Sequence, residues 1–201
     1  ATIYTGETIE GEEGGSNSSS LMLSRLYGWK MTFTGRNPYT IVTDFETFYQ
    51  YFPAEKRVMK TTADSPELKA MLTKPVTDMN PVALLDSASL KLHGQETLNG
   101  ETVYHLEGTT MSQLMPGGPQ VRRHLNAWLS VEDGLPRKTI ESVGMSTGTT
   151  VYRNVKVNPT LKPEDFSFTP PSGVTVIDTN EQIRKMQQQM GESTPTPAVK
   201  P

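Results

Sequence analysis

Apolar and polar residues alternate between Leu21 and Val58, and this alternation predicts consecutive β-strands. In WKMTF, Trp29, Met31 and Phe33 alternate with polar residues, so a strand would place all three on one sheet face. The runs IVTD and FYQY follow, rich in β-branched and aromatic residues, and a further strand opens at Arg57. Glycine, asparagine and proline between the runs supply turns. The stretch therefore predicts an antiparallel meander with one apolar face that another element must cover.

The segments on either side of this meander predict an entry strand and covering helices. Residues 1–10 form a weakly patterned strand, and residues 11–17 are rich in glycine, which predicts a flexible loop. A short helix is predicted over 64–72, and a second one begins at Asn80-Pro81 and continues at least to Ala88. Both helices are apolar on one side, so we expect them to lie on the sheet as covers.

Strand patterns resume at Leu90 and run almost to the end of the chain. Five strand-like runs, at 90–92, 102–108, 121–131, 137–143 and 149–157, are separated by the turn signals NGE, PGGPQ, EDG and STG. Residues 166–176, FSFTPPSGVTV, are expected to close the domain with a strand and a last extended run, and 179–190 with a helix. We predict one domain over 1–178, followed over 179–201 by a short helix and a disordered Ser/Thr/Pro tail.

Composition narrows the class of protein further. A chain of 201 residues suits one large all-β domain, and its Gly and Pro contents favour strands and turns over a helical bundle. The net charge of -3 gives no reason to expect nucleic acid as a partner. No run of eighteen apolar residues exists, and the absence of cysteine excludes disulfides and thiolate chemistry. No secretion signal is visible, so we expect that one, if encoded, has been removed.

Few motifs in the chain suggest catalysis. Residues 144–148, GMSTG, match the G-x-S-x-G pattern of a nucleophile elbow, which requires a following helix and a later histidine. The three histidines, His93, His105 and His124, all precede it, and a strand is predicted after it, so a hairpin turn is the favoured interpretation. The histidines also lack metal-ligand spacing. We therefore predict no catalytic residues, no metal, no cofactor and no enzyme activity.

The methionine content allows two interpretations. Ten methionines among 201 residues are a high content, and several fall in or beside the predicted strands and helices. Because methionine adapts to irregular partners, a concavity lined by it suits a variable apolar ligand. Filling an ordinary core is its commoner use, so the methionines alone favour that second interpretation.

Two stretches of the chain, LMLSRLYGWKMTFTGRNPYTIVTDFETFYQYFP at 21–53 and FSFTPPSGVTVID at 166–178, carry motifs that resemble those of the periplasmic outer-membrane lipoprotein carrier family, the LolA and LolB proteins. That family has an L-x-x-x-R strand, a W-x-M-like strand, P-x-x-I-V-x-D and an aromatic strand ending near Y-x-P, and it closes with F-x-F-x-P-P-x-G-V-x-V-x-D. The matching residues here are Leu21, Arg25, Trp29, Met31, Pro38, Ile41, Val42, Asp44, Phe48, Tyr49, Tyr51 and Pro53, and then Phe166, Phe168, Pro170, Pro171, Gly173, Val174, Val176 and Asp178. The resemblance spans roughly residues 2–178, and its closing motif is the most specific part.

The resemblance implies a fold that is mainly β with a few short helices, an incomplete and unclosed antiparallel β-barrel lidded by helices. Its apolar interior would take up the acyl chains of lipoproteins. The residues expected to line that cavity are Leu21, Leu23, Trp29, Met31, Phe33, Ile41, Phe48, Tyr51, Met71, Leu84 and Leu85. By the same analogy Arg25 would hydrogen-bond the lid helix and latch the cavity shut, whereas the alternative is an exposed strand arginine.

The family resemblance also implies a location and partners. It predicts a secreted, periplasmic protein that binds acylated lipoproteins or lipids, as a monomer, in outer-membrane lipoprotein sorting. An inner-membrane donor protein and an outer-membrane acceptor protein would be its partners. Two other hypotheses stay open: an RseB-like envelope-stress sensor that binds a partner protein or lipopolysaccharide, and a structural envelope protein whose half-barrel is filled by its own side chains.

Overall fold

The computed structural model describes residues 3–12, 15–77, 82, 85–113 and 119–192, which form one twelve-stranded sheet with two α-helices. The strands are β1 (Ile3–Glu12), β2 (Gly15–Ser24), β3 (Gly28–Thr34), β4 (Tyr39–Thr43), β5 (Thr47–Phe52), β6 (Arg57–Thr62), β7 (Lys91–Leu98), β8 (Glu101–Gln113), β9 (Gln120–Ser130), β10 (Pro136–Val143), β11 (Ser146–Val157) and β12 (Thr175–Asp178). The helices are α1 (Pro66–Thr77) and α2 (Thr179–Glu192), and short 3-10 turns occupy Ser87–Ser89 and Pro163–Phe166.

The sheet consists of two meanders joined through β1. Its strand order is β12-β6-β5-β4-β3-β2-β1-β11-β10-β9-β8-β7, and neighbouring strands are antiparallel except for β12, which pairs in parallel with β6. β7 and β12 are the two edges, so the sheet is not closed into a barrel. The prediction of a mainly β protein with an unclosed antiparallel barrel is confirmed, and the parallel edge pair is an addition to it.

Tight turns connect the strands where the sequence predicts them. Asn99 and Gly100 have φ of 53° and 85°, the left-handed conformation that a two-residue hairpin turn requires, and they connect β7 to β8. In the GMSTG segment, Gly144 and Met145 form the hairpin turn between β10 and β11, with Gly144 at φ 60°, and Ser146 begins β11. The interpretation of this segment as a turn is therefore confirmed.

The sheet is curved, and one of its faces is concave. Leu23 on β2 and Trp29 on β3 form a buried cluster against which Leu135, next to β10, and Val155 on β11 also pack. β2 and β10 are three strand spacings apart, about 14 Å, so these side chains would not meet above a flat sheet. We call the face that carries Leu23 and Trp29 the concave face.

The opposite, convex face of β3–β6 is covered by the segment that follows β11. Val42 and Val58 are fully buried on that face, and Phe166 at the end of a 3-10 turn is 1% exposed. The ring of Phe168 lies 5.2 Å from that of Tyr49 and 5.8 Å from that of Tyr51. Both faces of this meander therefore bury apolar side chains.

Three local predictions are wrong. Strand residues occupy most of the predicted loop at 11–17, because β1 continues to Glu12 and β2 begins at Gly15, and the two strands pair with each other up to their ends. The second predicted helix does not reach Ala88 as expected, because Leu85 lies in a bend and a 3-10 turn at Ser87–Ser89 leads into β7. The strand expected at Phe166 is instead the end of a 3-10 turn.

The helix predictions are otherwise close. α1 overlaps the helix predicted over 64–72 and extends beyond it, and α2 overlaps the helix predicted over 179–190. The start of the second predicted helix, and the tail from residue 193, lie outside the described residues. Within the described ranges, no helix combines the length and apolarity needed to cross a membrane. The division into a domain at 1–178 and an appended segment stays a prediction.

Candidate functional site

The concave face of β2–β5 is an apolar wall built by strand alternation and cross-strand pairing. Leu23 pairs with Trp29 and Leu21 with Met31 between β2 and β3. The pairing continues from Met31 to Ile41 on β4, and Phe48 on β5 pairs opposite Thr43. Residues paired across antiparallel strands point to the same face, so these side chains share one surface, on which the polar Gln50 and Thr43 lie opposite Ile41 and Phe48.

One end of the wall is closed. Leu23 is 1% exposed and Trp29 6%, and Phe48 meets the Trp29 ring edge-to-face at 6.0 Å between centroids. The Trp29 indole Nε1–H donates a buried 2.7 Å hydrogen bond to the carbonyl oxygen of Leu72. This bond ties α1 to the sheet, because an unpaired indole N–H or carbonyl would be costly at a buried position.

Exposure rises with distance from this closed end. Met31 and Ile41, one pair further along the strands, are only half-buried, as are Leu21 and Phe33. Side chains in the interior of a filled core are normally buried almost completely. The wall thus presents apolar surface that the described residues only partly cover.

A second apolar cluster lies on the same face at the other end of the sheet. Leu125, Ala127 and Leu129 on β9 are buried, with Leu106 and Leu85 packed against them. The pairings lead from β2 to β9 along one face, through Ser19–Thr8 and Thr8–Tyr152 to Thr150–Thr139 and Thr139–Ala127. Between the two clusters, β11 and β10 therefore contribute the hydroxyl-bearing residues Tyr152, Thr150 and Thr139 to this face.

Leu85 covers this second cluster from the segment before β7. A Cβ added to Gly108 would lie 2.8 Å from the Cδ1 of Leu85, so the leucine rests directly on the glycine of β8. The amide of Asp86 donates to the carbonyl of Thr109 at 2.8 Å, and the Ser89 hydroxyl accepts from the Thr109 amide at 2.8 Å. Gly108 thus provides the space that lets this segment approach the sheet.

The structure brings most of the predicted cavity residues together. Those that share the concave wall are Leu21, Leu23, Trp29, Met31, Phe33, Ile41 and Phe48. Leu85 belongs to the second cluster, and Tyr51 lies on the convex face beside Phe168. Met71 belongs to α1 but its side chain is not described, and Leu84 lies outside the described residues. Arg25 is exposed in the turn between β2 and β3.

Sequence reasoning missed several residues of this face. Tyr39 and Phe52 extend the wall along β4 and β5, and Arg57 follows on β6. Tyr39 and Ile41 have the same parity on β4, and this was a signal that could have found the Tyr39 ring. The β5 sequence has aromatic residues on both parities, so it gave no such signal for Phe52. No local pattern could have found Leu135 and Val155, because they reach the cluster only through the curvature of the sheet.

The three histidines gather on the convex face of β7–β9. Both oxygens of Glu107 are engaged, by His93 Nε2 at 2.7 Å and His124 Nε2 at 2.9 Å. His105 Nδ1 contacts Glu96 at 2.9 Å, and the Trp128 indole donates to the same carboxylate at 2.9 Å. The hydrogen bonds from His124 and then His93 lower the pKa of Glu107 from 4.5 to about 2. No group of acidic or histidine side chains among the described residues is arranged to hold a metal ion.

Comparison with known proteins gives matches of structure. No protein-family model and no curated sequence matches the chain. An uncharacterized conserved protein from Thermus thermophilus aligns with a TM-score of 0.58 and 11% identity, over 89% of this chain and 90% of that one. A chain of the Pseudomonas aeruginosa MucA/MucB complex aligns with a TM-score of 0.54 and 14% identity, over 88% of this chain. LolA superfamily protein NE2245 from Nitrosomonas europaea also matches, with a TM-score of 0.41 and 10% identity, over 84% of this chain and 90% of that one.

The TM-scores of the first two matches show that this chain shares its fold with the Thermus thermophilus protein and with a chain of the MucA/MucB complex. The resemblance read from the motifs is confirmed as a likeness of fold. The chain spans 59% of the matched chain in the MucA/MucB complex. The matched fold is the open, curved sheet described above, and the shared fold does not identify the ligand of the concave face.

Proposed function

We propose that this protein binds the acyl chains of lipids or lipoproteins on its concave face and carries them through the bacterial cell envelope. The observation that carries this proposal is the half-buried wall of Leu21, Met31, Phe33 and Ile41 beside a closed apolar end. Apolar surface that stays partly accessible inside a curved sheet is suited to a ligand of the same polarity. The function needs no covalent chemistry.

The energetics of a carrier fit such a wall. Each buried CH₂ group is worth about 0.8 kcal/mol, so an acyl chain of lipoprotein length leaves a membrane only when about 12 kcal/mol of burial is replaced elsewhere. Apolar side chains from four neighbouring strands, β2–β5, offer that replacement along one surface. Release would then depend on an acceptor that binds the chain more favourably.

We assign the ligand to the predicted cavity residues that share the concave face, namely Leu21, Leu23, Trp29, Met31, Phe33, Ile41 and Phe48. Tyr51 is left out because its ring lies on the convex face. Met71, Leu84 and Leu85 stay predicted members of the cavity lining, and Arg25 a predicted latch. The proposed setting is the periplasm, with an inner-membrane donor, an outer-membrane acceptor and a monomeric carrier in lipoprotein sorting.

Two methionines provide a matched test of the binding face. Met31 on the concave face and Met22 on the convex face are both half-buried and lie on adjacent paired strands. Met31→Gln is expected to weaken binding of a fluorescent fatty acid about tenfold, because an amide would be desolvated against the chain. Met22→Gln should bind as the unchanged protein does. Titration of both variants by fluorescence, with thermal melts as a folding control, decides the matter, and equal affinities would contradict the assigned face.

A second candidate function is a regulatory module of the RseB kind that binds a partner protein. The observation that favours it is the match to a chain of the MucA/MucB complex. The two functions separate in one experiment on tagged protein recovered from a bacterial envelope extract. Extracted lipid or an acylated protein, identified by mass spectrometry, supports the carrier, whereas a stoichiometric protein partner without acyl groups supports the regulator.

A structural role with a self-filled interior is the third alternative. It predicts that the protein takes up neither fatty acids nor acylated peptides at any concentration at which it stays folded. The half-buried concave wall argues against it, since a self-filled interior would bury Met31 and Ile41 as completely as it buries Leu23.

A further inference from the structure

Three aromatic rings and a guanidinium group form a row across the concave face, at the end opposite the closed cluster. The centroids of Phe33 and Tyr39 are 4.2 Å apart with an interplanar angle of 12°, and those of Tyr39 and Phe52 are 5.7 Å apart at 22°. The guanidinium carbon of Arg57 lies 5.0 Å from the Phe52 centroid. Cross-strand pairs Phe33–Tyr39 and Phe52–Arg57 keep these four residues, which we call the rim row, on one face of β3–β6.

Arg57 has hydrogen-bonding capacity that the described residues do not use. Its Nη2 contacts the Glu55 carboxylate at 2.6 Å, but its Nε is buried without an acceptor. An arginine carries five N–H donors, and a buried donor without an acceptor is unfavourable. The side chain as a whole is 36% exposed, so an incoming ligand can reach it.

The rim row lies one residue pair away from the apolar wall. Ile41 and Met31 are the next concave-face residues after Tyr39 and Phe33 along their strands, and Thr43 and Trp29 come after those. Moving along β3 and β4, the surface therefore changes from aromatic to aliphatic and then to buried, and Arg57 on β6 adds a cation at the aromatic end. This polarity gradient matches that of an amphiphile with a charged head and an apolar chain.

We propose that the rim row is a subsite for the oxyanion head group of a single-chain amphiphile, with Arg57 as the residue that selects anionic over neutral ligands. The inference rests on the proposed function, since it requires the chain of the same ligand to lie on the concave wall. The head-group oxygen accepts charge-assisted hydrogen bonds from the guanidinium, and Phe52 holds the guanidinium plane in place. Glu55 orients Arg57 and competes with the head group for it.

Ligands that share a chain and differ in the head group test the subsite. Displacement of N-phenyl-1-naphthylamine, a neutral apolar dye, is measured with laurate, dodecyl phosphate and dodecanol, below their aggregation limits. The unchanged protein is expected to bind both anionic ligands about tenfold more tightly than dodecanol, as suits one charge-assisted contact at a half-exposed site. In Arg57→Gln that preference should fall to about one, and in Glu55→Gln it should rise above that of the unchanged protein.

Control variants and a control ligand separate the possible causes of a changed head-group preference. Arg57→Lys retains the charge and should keep part of the preference, which separates the loss of a cation from a misfolded variant. Inorganic phosphate should not displace the dye, and displacement by it would mean a free-anion site and overturn the subsite. A preference that persists in a folded Arg57→Gln, or equal binding of all three ligands by the unchanged protein, overturns the inference and leaves the carrier function standing. Failure of the dye and all three ligands to bind contradicts the carrier function itself.

Discussion

At the scale of single residues, Gly28 shows how one backbone position allows β3 to begin beside β4. It has φ of +132°, and a Cβ added there would lie 1.9 Å from the carbonyl oxygen of Thr43. A side chain at this position therefore meets a backbone atom and an unfavourable backbone conformation at once. The glycine brings Trp29, the next residue, to the closed end of the concave face.

Gly28→Ala should be strongly destabilising for these two reasons. We expect it to lower the free energy of unfolding by more than about 3 kcal/mol. Gly148→Ala is the matched control, because a Cβ at Gly148 would have no neighbour within 4 Å, and its effect should stay below about 1 kcal/mol. Urea unfolding followed by tryptophan fluorescence measures both. Similar midpoints for the two variants would show that the strand can shift to accommodate the clash.

Prediction of which side chains share a sheet face succeeded where alternation was unambiguous. Trp29, Met31 and Phe33 stand between polar neighbours, and all three lie on one face as expected. The β5 sequence TFYQYF carries aromatic residues on both parities, so it gave no sign of which ring faces inward. Tyr51 lies outside because Phe168 covers the convex face there, and that contact joins residues far apart in the chain.

At the scale of elements, the histidine cluster ties the edge strand β7 to its neighbours. His93 on β7 contacts Glu107 on β8, and His105 on β8 contacts Glu96 on β7, so the contacts are reciprocal. His124 on β9 reaches the same Glu107 carboxylate. An edge strand has hydrogen-bonded backbone on one side only, so side-chain contacts of this kind add to its attachment.

The lowered pKa of Glu107 predicts how this attachment depends on pH. A carboxylate whose pKa falls from 4.5 to about 2 on folding stabilises the protein above pH 4.5, and the stabilisation is lost as the pH falls toward 2. The difference in unfolding free energy between the unchanged protein and Glu107→Gln should therefore shrink over that range. Denaturant melts at several pH values measure it, with Glu132→Gln, an exposed turn residue, as control. A constant difference between pH 5 and pH 2 would contradict the assignment.

Prediction of the elements failed where pairing outweighed local composition. Glycine and serine near residues 11–17 suggested a loop, yet β1 and β2 run through most of it because the two strands pair with each other as far as Glu12 and Gly15. The second helix was predicted because its sequence is apolar on one side. From Leu85 onward the chain instead runs beside β8, because Gly108 leaves space for Leu85 and Thr109 forms hydrogen bonds with Asp86 and Ser89. Strands bounded by strong turns, such as β7 and β8, were predicted well.

At the scale of the whole molecule, curvature is what makes a concave face. The contact of Leu135 with the cluster of Leu23 and Trp29 joins the two meanders across the sheet. No pattern in the sequence specifies this curvature, which results from twist, the irregularity in β1–β11 pairing near Thr5, and the positive φ of Asn154 in β11. The open sheet was predictable only through the family resemblance.

A double-mutant cycle tests whether the two meanders meet in solution. Leu23→Ala and Leu135→Ala are expected to couple by about 0.5 to 1 kcal/mol, because each leucine contributes to one apolar cluster. Leu23→Ala combined with Leu106→Ala should be additive, since Leu106 belongs to the second cluster. Equilibrium unfolding of the single and double variants supplies the free energies. Additivity in the first cycle would indicate a flatter sheet in which the meanders stay apart.

The strand order also has a consequence for biosynthesis. β1 takes a neighbour, β11, that is translated more than a hundred residues later, and β6 is flanked by β12, which comes later still. During translation, the first meander, β1–β6, therefore emerges while β1 lacks its partner β11 and β6 lacks its partner β12. A translation product halted before Thr175 leaves β6 without β12. A sheet with such long-range pairing forms slowly and passes through aggregation-prone intermediates. We therefore expect this polypeptide to depend on holdase chaperones until its last segment has emerged.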